Sequence, residues 1–193
     1  MKIAIESNIG GGKSTLLSLI SQRTRLPIFL EPVDTDWKQG LSLFYQDQTR
    51  WGFTFNLNVL NTYHQWKDNN FKALYERSPL SCYHVFTQLQ YESHQLTDYE
   101  FDLFQKFYGP LAWKPDVIIY IRTLPKICLQ RMQLRARACE KEVPLSYLEA
   151  VHDKYETMIK SFHLSNEIPV FIIDGNRSKE FVYEDVMKIV ASY

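Results

Sequence analysis

A chain of 193 residues is long enough for one α/β domain with a buried core and short for two independent ones. Hydrophobic residues make up 45% and charged residues 23%, the balance of a globular chain, which excludes disorder as its description. Lysine plus arginine equals aspartate plus glutamate at 22 each, so no net basic field is available to hold a polymeric nucleic acid by counterion release.

Short apolar strands alternate with longer amphipathic helices along the chain, which predicts a doubly wound α/β fold around a five-stranded parallel sheet. Strands are expected near residues 2–6, 27–30, 73–76, 117–122 and 170–174. Helices are expected near residues 14–23, 53–67, 80–90, 98–108, 125–135, 145–162 and 179–192. Each strand has turn or functional residues at its carboxyl end, where open α/β sheets bind ligands. Residues 34–51 are polar and aromatic without clear period and read as a mobile insertion over the site. Residues 136–144, dense in charge between two helical patterns, read as a lid. There is no internal repeat and no low-complexity tract.

After the first strand comes Ser7-Asn8-Ile9-Gly10-Gly11-Gly12-Lys13-Ser14, opening a helix, so backbone N–H groups and the helix dipole converge where triphosphate oxygens would lie. Lys13 would neutralise the β and γ phosphates, and Ser14 would offer its hydroxyl to Mg²⁺. The ATP-binding set expected here is Asn8, Ile9, Gly10, Gly11, Gly12, Lys13, Ser14 and Thr15. The pattern departs from G-x-x-x-x-G-K-[S/T] at its first position, where Ser7 replaces glycine, with an expected backbone strain of ~1 kcal/mol.

Four further motifs follow: Glu31-Pro32-Val33, Arg50-Trp51 with Phe53-Thr54-Phe55, Glu76-Arg77-Ser78, and Arg131-x-x-x-Arg135-x-Arg137 leading into Pro144-Leu145-x-Tyr147-Leu148-Glu149. In order and spacing, over nearly the whole chain, they resemble the deoxynucleoside kinase family, the group of deoxycytidine kinase, mitochondrial thymidine kinase and the insect enzyme. The resemblance implies a P-loop nucleoside/nucleotide kinase fold with an arginine-rich lid at about 131–145. It also implies ATP-dependent phosphorylation of a deoxyribonucleoside 5′-hydroxyl in nucleotide salvage, by a single domain over 1–193.

A sugar hydroxyl is a poor nucleophile, so a carboxylate that accepts its proton helps the reaction, and Glu31 sits at the family's general-base position. Glu76, ending a strand beside the loop, is suited to orient Mg²⁺ or its waters. By resemblance Arg77 stabilises the phosphoryl group. Arg131 and Arg135 share a helical face and Arg137 lies just beyond, so several cations are expected to close on the transferring phosphoryl, Arg131 with Lys13 among the catalytic groups and Arg135 and Arg137 among the ATP ligands. Cations near a helix C-terminus also favour the macrodipole without any ligand.

The resemblance further places Tyr45 and Glu140 on the sugar 3′-hydroxyl, implying deoxyribose over ribose. On the helix from Phe53, the residues Asn56, Val59, Leu60 and Tyr63 share one stripe, with Asn56 amid apolar neighbours as a candidate base-reading amide. The family carries glutamine at the Asn56 position. Phe86, with Trp37 or Phe55 opposite, is expected to sandwich the base. Deoxycytidine kinase has an arginine and an aspartate where this chain has Tyr63 and Cys82, so thymidine is the expected substrate and deoxycytidine the second.

Cys82, Cys128 and Cys139 show no C-x-x-C spacing, no histidine cluster completes a zinc site, and His64, His84, His94, His152 and His163 are read as structural. With no signal-like h-region and no apolar run long enough to span a bilayer, a cytoplasmic protein without a membrane partner is expected; a lost organelle presequence stays open. A homodimer through the helices near 53–67 and 80–90 follows from the resemblance. The rival readings are a nucleoside monophosphate kinase, a non-catalytic nucleotide-binding partner subunit and, less favoured, a GTPase switch, for which no N-K-x-D segment is present.

Overall fold

The structure is a computed structural model that describes residues 1–193, apart from the side chain of Ala138. Five strands, β1 (Lys2–Glu6), β2 (Ile28–Phe29), β3 (Ala73–Glu76), β4 (Val117–Arg122) and β5 (Val170–Asp174), form one sheet in the order β2-β3-β1-β4-β5, every pair parallel. Buried on both faces, the three inner strands β3, β1 and β4 read as nearly continuous apolar runs rather than alternating ones, while the edge strands β2 and β5 are only partly covered.

Side chains of alternate parity feed two cores. Ile3, Ile5, Val117, Ile119 and Ile121 pack with α1 (Lys13–Arg23) and α9 (Lys179–Ala191). Ile118 and Tyr120 point the other way, onto α8 (Leu145–Ser165) and onto Leu80 and Val85. Residues 79–92 form one helical rod: α4 (Pro79–Ser81), a wide π turn (Cys82–Thr87) and α5 (Gln88–Glu92). In the π turn the Thr87 hydroxyl donates to the Cys82 carbonyl at 2.8 Å.

The segment read as a mobile insertion instead contains α2 (Lys38–Gln46), followed at once by α3 (Gln48–Gln65). The apolar spacing that makes α2 is short: Trp37, Leu41 and Phe44, four and three apart, are all buried. Asp47 then starts α3 five residues earlier than expected, its carboxylate accepting from Arg50 N at 2.9 Å as an N-cap. Beyond α3, α6 (Asp98–Leu111) opens with a full capping box between Thr97 and Glu100, and α7 (Pro125–Arg135) leads into the lid segment. That segment holds a single 3₁₀ turn, Ala138–Glu140.

Candidate active site

Strand order brings the motifs together. β1, β3 and β2 lie side by side, so the loop after β1, the Glu76-Arg77-Ser78 turn after β3 and Glu31 after β2 share one rim of the sheet. They open on a cavity of about 740 Å³. Every residue expected from the sequence lines it except Asn8. The Asn8 side chain turns away: its amide donates to the Leu148 carbonyl on α8 at 2.8 Å and accepts from Ile9 N at 2.8 Å, which ties the loop to the helix.

Gly10 and Gly12 take φ of +72° and +102°, a region open to glycine at little cost. Ser7, the departure from the phosphate-loop pattern, carries no such strain, because the non-glycine residues with positive φ among those described are Arg77, His94, Ala136 and Asn166. Its buried hydroxyl donates to the Ile121 carbonyl at 2.6 Å and fills the space a side chain on Gly11 would need. The expected strain is thus replaced by a bond that ties the start of the loop after β1 to β4.

Lys13 Nζ donates to the carbonyls of Ser7 (3.1 Å) and Asn8 (3.0 Å). Burial brings its ammonium down to about 8, with Arg77 acting in the same sense and the carboxylates of Glu76, Glu31 and Glu6 opposing. Ser14 Oγ donates to Glu76 Oε1 at 2.6 Å, and Glu76 Oε2 accepts from Glu31 N at 3.3 Å. Burial, then the nearby Glu31 charge, raises the Glu76 carboxyl.

Glu31 is held from two sides. Tyr63 Oη donates to Oε1 at 2.8 Å, and Arg77 pairs with Oε2 at 2.5 Å. Tyr63, expected against a base, therefore reaches the carboxylate, and burial keeps its phenol protonated as the donor. Arg77 sits in the left-handed region at φ +61°, unusual for a side chain of its size. Its Nε donates to Tyr155 Oη at 2.9 Å, and its guanidinium lies 5.0 Å from the Phe86 ring centre. Behind it, Tyr155 and Ser78 donate to Glu6, whose carboxyl burial raises while the Ser78 hydroxyl opposes. Tyr155 and Glu6 were not singled out from the sequence; an acidic residue closing a buried strand was the available signal.

The three arginines expected to close on a phosphoryl group each hold protein partners in this structure. Arg131 bridges the loop and the end of β5, donating to the carbonyls of Gly11 (3.2 Å) and Gly175 (2.9 Å). Arg135 and Arg137 both pair with Glu140, and Arg137 also reaches Asp34 at 2.8 Å. Glu140 is thus engaged by two arginines, and among the described residues no hydrogen bond joins it to Tyr45, although both line the cavity.

Beyond Glu31 the cavity is walled by Trp37, Phe55, Val59, Cys82 and Phe86. Trp37 and Phe55 meet edge to face at 6.0 Å. Asn56 does not stand alone there: it exchanges two hydrogen bonds with Gln90, which the sequence reading missed. Tyr147, quoted from the sequence only as part of a motif, also lines the cavity, and the segment Gly175, Arg177, Ser178 and Lys179, not singled out from the sequence, lines it as well, with Gly175 accepting from Arg131. Among the described residues no group of three or more histidine, cysteine, aspartate or glutamate side chains forms a metal cluster.

A cradle for phosphates thus faces a buried, doubly held carboxylate, with an apolar slot beyond it. A deoxynucleoside kinase family model matches residues 3–193. The human protein "Thymidine kinase 2, mitochondrial" is 32% identical over 195 residues, covering 94% of this chain and 73% of that protein. Deoxyguanosine kinase of Bacillus subtilis is 32% identical over 186 residues, 93% of this chain and 88% of that one. Mouse deoxycytidine kinase is 30% identical over 236 residues, covering all of this chain and 90% of that one. In fold, the chain is similar to a deoxyadenosine kinase from M. mycoides, with a TM-score of 0.89 at 24% identity, covering 100% of this chain and 99% of that one. Matched over almost its whole length, the chain belongs to the deoxynucleoside kinase family, kinases that phosphorylate small-molecule nucleosides from a nucleotide donor.

Proposed function

We propose that this chain transfers the γ-phosphate of ATP to the 5′-hydroxyl of a deoxyribonucleoside, with thymidine favoured and deoxycytidine second. The observation that carries the reading is the position of Glu31. It is a buried carboxylate oriented by Tyr63 and Arg77 and joined through its own backbone to Glu76, which holds Ser14 of the phosphate loop.

In this reading Glu31 accepts the proton of the 5′-hydroxyl as the oxygen attacks phosphorus. Arg77, its backbone fixed by a hydrogen bond from its N–H to Ile5 O at 3.0 Å, steadies both the carboxylate and the charge that builds on the phosphoryl oxygens. The glycine loop and Lys13 hold the donor phosphates. Arg131, beside Gly11, acts as a fourth catalytic group, and Arg135 and Arg137 exchange Glu140 for phosphate oxygens. Tyr45 and Glu140 serve the sugar. Trp37, Phe55, Val59, Cys82 and Phe86 enclose the base.

The Ser14 hydroxyl and the Glu76 carboxylate, 2.6 Å apart and both facing the cavity, fit Mg²⁺, whose other ligands would be phosphate oxygens and water. When bound, that ion neutralises charge on the donor phosphates. A deprotonated Glu76 is needed for it, and Lys13 and the Ser14 bond favour that form against burial.

The same reading takes residues 1–193 as one kinase unit with a lid at about 131–145, assembled as a homodimer in the cytoplasm. No described helix is long and apolar enough to cross a membrane. The test is to incubate the purified chain with ATP, Mg²⁺ and each of the four deoxynucleosides. Monophosphate should form fastest from thymidine, then deoxycytidine. Purine deoxynucleosides with higher kcat/KM than thymidine would overturn the base assignment, and no turnover of any would overturn the function.

A further inference from the structure

The amide at Asn56 carries a feature of the site that neither residue reveals separately. Asn56 Nδ2 donates to Gln90 Oε1 at 3.1 Å, and Gln90 Nε2 donates back to Asn56 Oδ1 at 3.3 Å. Both side chains are almost fully buried, and both line the cavity among Val59, Cys82 and Phe86. Cys82, Phe86 and Gln90 recur every fourth residue through the π turn, which puts Gln90 on the same wall. Gly52, one turn before Asn56, makes the pairing fit: a Cβ there would lie 2.6 Å from Gln90 Oε1.

We infer that Gln90 is a specificity-determining residue, acting with Asn56 as one switchable base-reading unit. This rests on the proposed function, in which the slot takes the base of a deoxynucleoside. Each amide spends one donor and one acceptor on the other, so the donor–acceptor edge of Asn56 is already used, and one N–H and one oxygen lone pair remain on each residue. Turning both amides over together exchanges oxygen for nitrogen at every position and leaves the same two bonds. The pair therefore presents either a donor or an acceptor to the base without losing a hydrogen bond. A pyrimidine with a 4-keto group and one with a 4-amino group are both accommodated, because the unit matches whichever polarity arrives. A lone amide in an apolar wall would instead leave its unused groups unpaired whenever the base did not satisfy them.

Replacing either amide by a carboxylate removes its donors and leaves an acceptor-rich unit, which favours an exocyclic amino group over a carbonyl. The experiment measures kcat/KM for thymidine and deoxycytidine, with ATP and Mg²⁺, for the parent, Gln90→Glu and Asn56→Asp. The parent should use both nucleosides, with kcat/KM values within about tenfold of each other. Each variant should move the deoxycytidine-to-thymidine ratio upward, by about tenfold. Two separate variants from opposite helices keep the test open if one fails to fold. Equal losses for both nucleosides, a shift in only one of two folded variants, or shifts of opposite sign would overturn the inference. A parent that phosphorylates neither nucleoside would overturn the functional reading itself, a separate and recognisable result.

Discussion

Ser7→Gly would restore the residue that phosphate loops of this pattern place first, and the structure assigns the outcome a sign. Ser7 is not in the left-handed region, so glycine relieves nothing. It removes the buried 2.6 Å bond from the hydroxyl to the Ile121 carbonyl, worth about 0.5–1.5 kcal/mol. It also adds backbone freedom to the unfolded chain, at a further cost of roughly 0.5–1 kcal/mol. The sum is a destabilisation of about 1–2.5 kcal/mol. For a chain of this length that corresponds to a fall in Tm of roughly 2–10 °C. Thermal and urea unfolding of both proteins, monitored by circular dichroism, measure it. A Ser7→Gly protein more stable than its parent would refute the reasoning, because that is the result strain at Ser7 would give.

Three further outcomes follow from the buried charges. Arg77→Lys keeps the charge but cannot span Glu31, Tyr155 and the Phe86 ring together, so kcat should fall about 10²-fold with the nucleoside KM little changed, by steady-state kinetics. Lys13 titrates at about 8, below the ordinary value for lysine, and triphosphate needs its cation. ATP affinity should therefore weaken as pH rises through 8, approaching tenfold per unit, by titration calorimetry; a flat profile from pH 7 to 9 would contradict the assignment. Stability has the opposite sign: the folded chain bears a buried charge below pH 8, so the Lys13 contribution to stability rises from about pH 8 towards the unfolded value of ~10.4.

The sheet was legible because parallel strands covered on both faces leave apolar runs such as Val117–Arg122 between amphipathic helices. The phosphate loop was legible because its glycines and Lys13 are contiguous. What escaped was short or distributed. Around α2 only Trp37, Leu41 and Phe44 mark a buried face, over less than three turns, and Leu43 and Tyr45 between and beside them blur the period. Gln90 lies 34 residues from Asn56, and nothing in either local pattern announces a partner. The pairing of Arg135 and Arg137 with Glu140 shows the same limit: the cations and their spacing could be read, but their partner depended on how the lid folds back. Tyr63 was read on the stripe of α3 that lines the cavity, but that its hydroxyl reaches Glu31 depended on the fold bringing residue 31 within reach of that stripe.

The central claim is that Glu31 removes the proton, and Glu31→Gln tests it while keeping the side chain's size and its ability to accept a hydrogen bond from Tyr63 or Arg77. Measured by single-turnover kinetics with ATP, Mg²⁺ and thymidine, the phosphoryl-transfer step should slow by ~10²-fold or more, with both substrates still bound. A variant that transfers phosphate at the parent's rate would contradict the account.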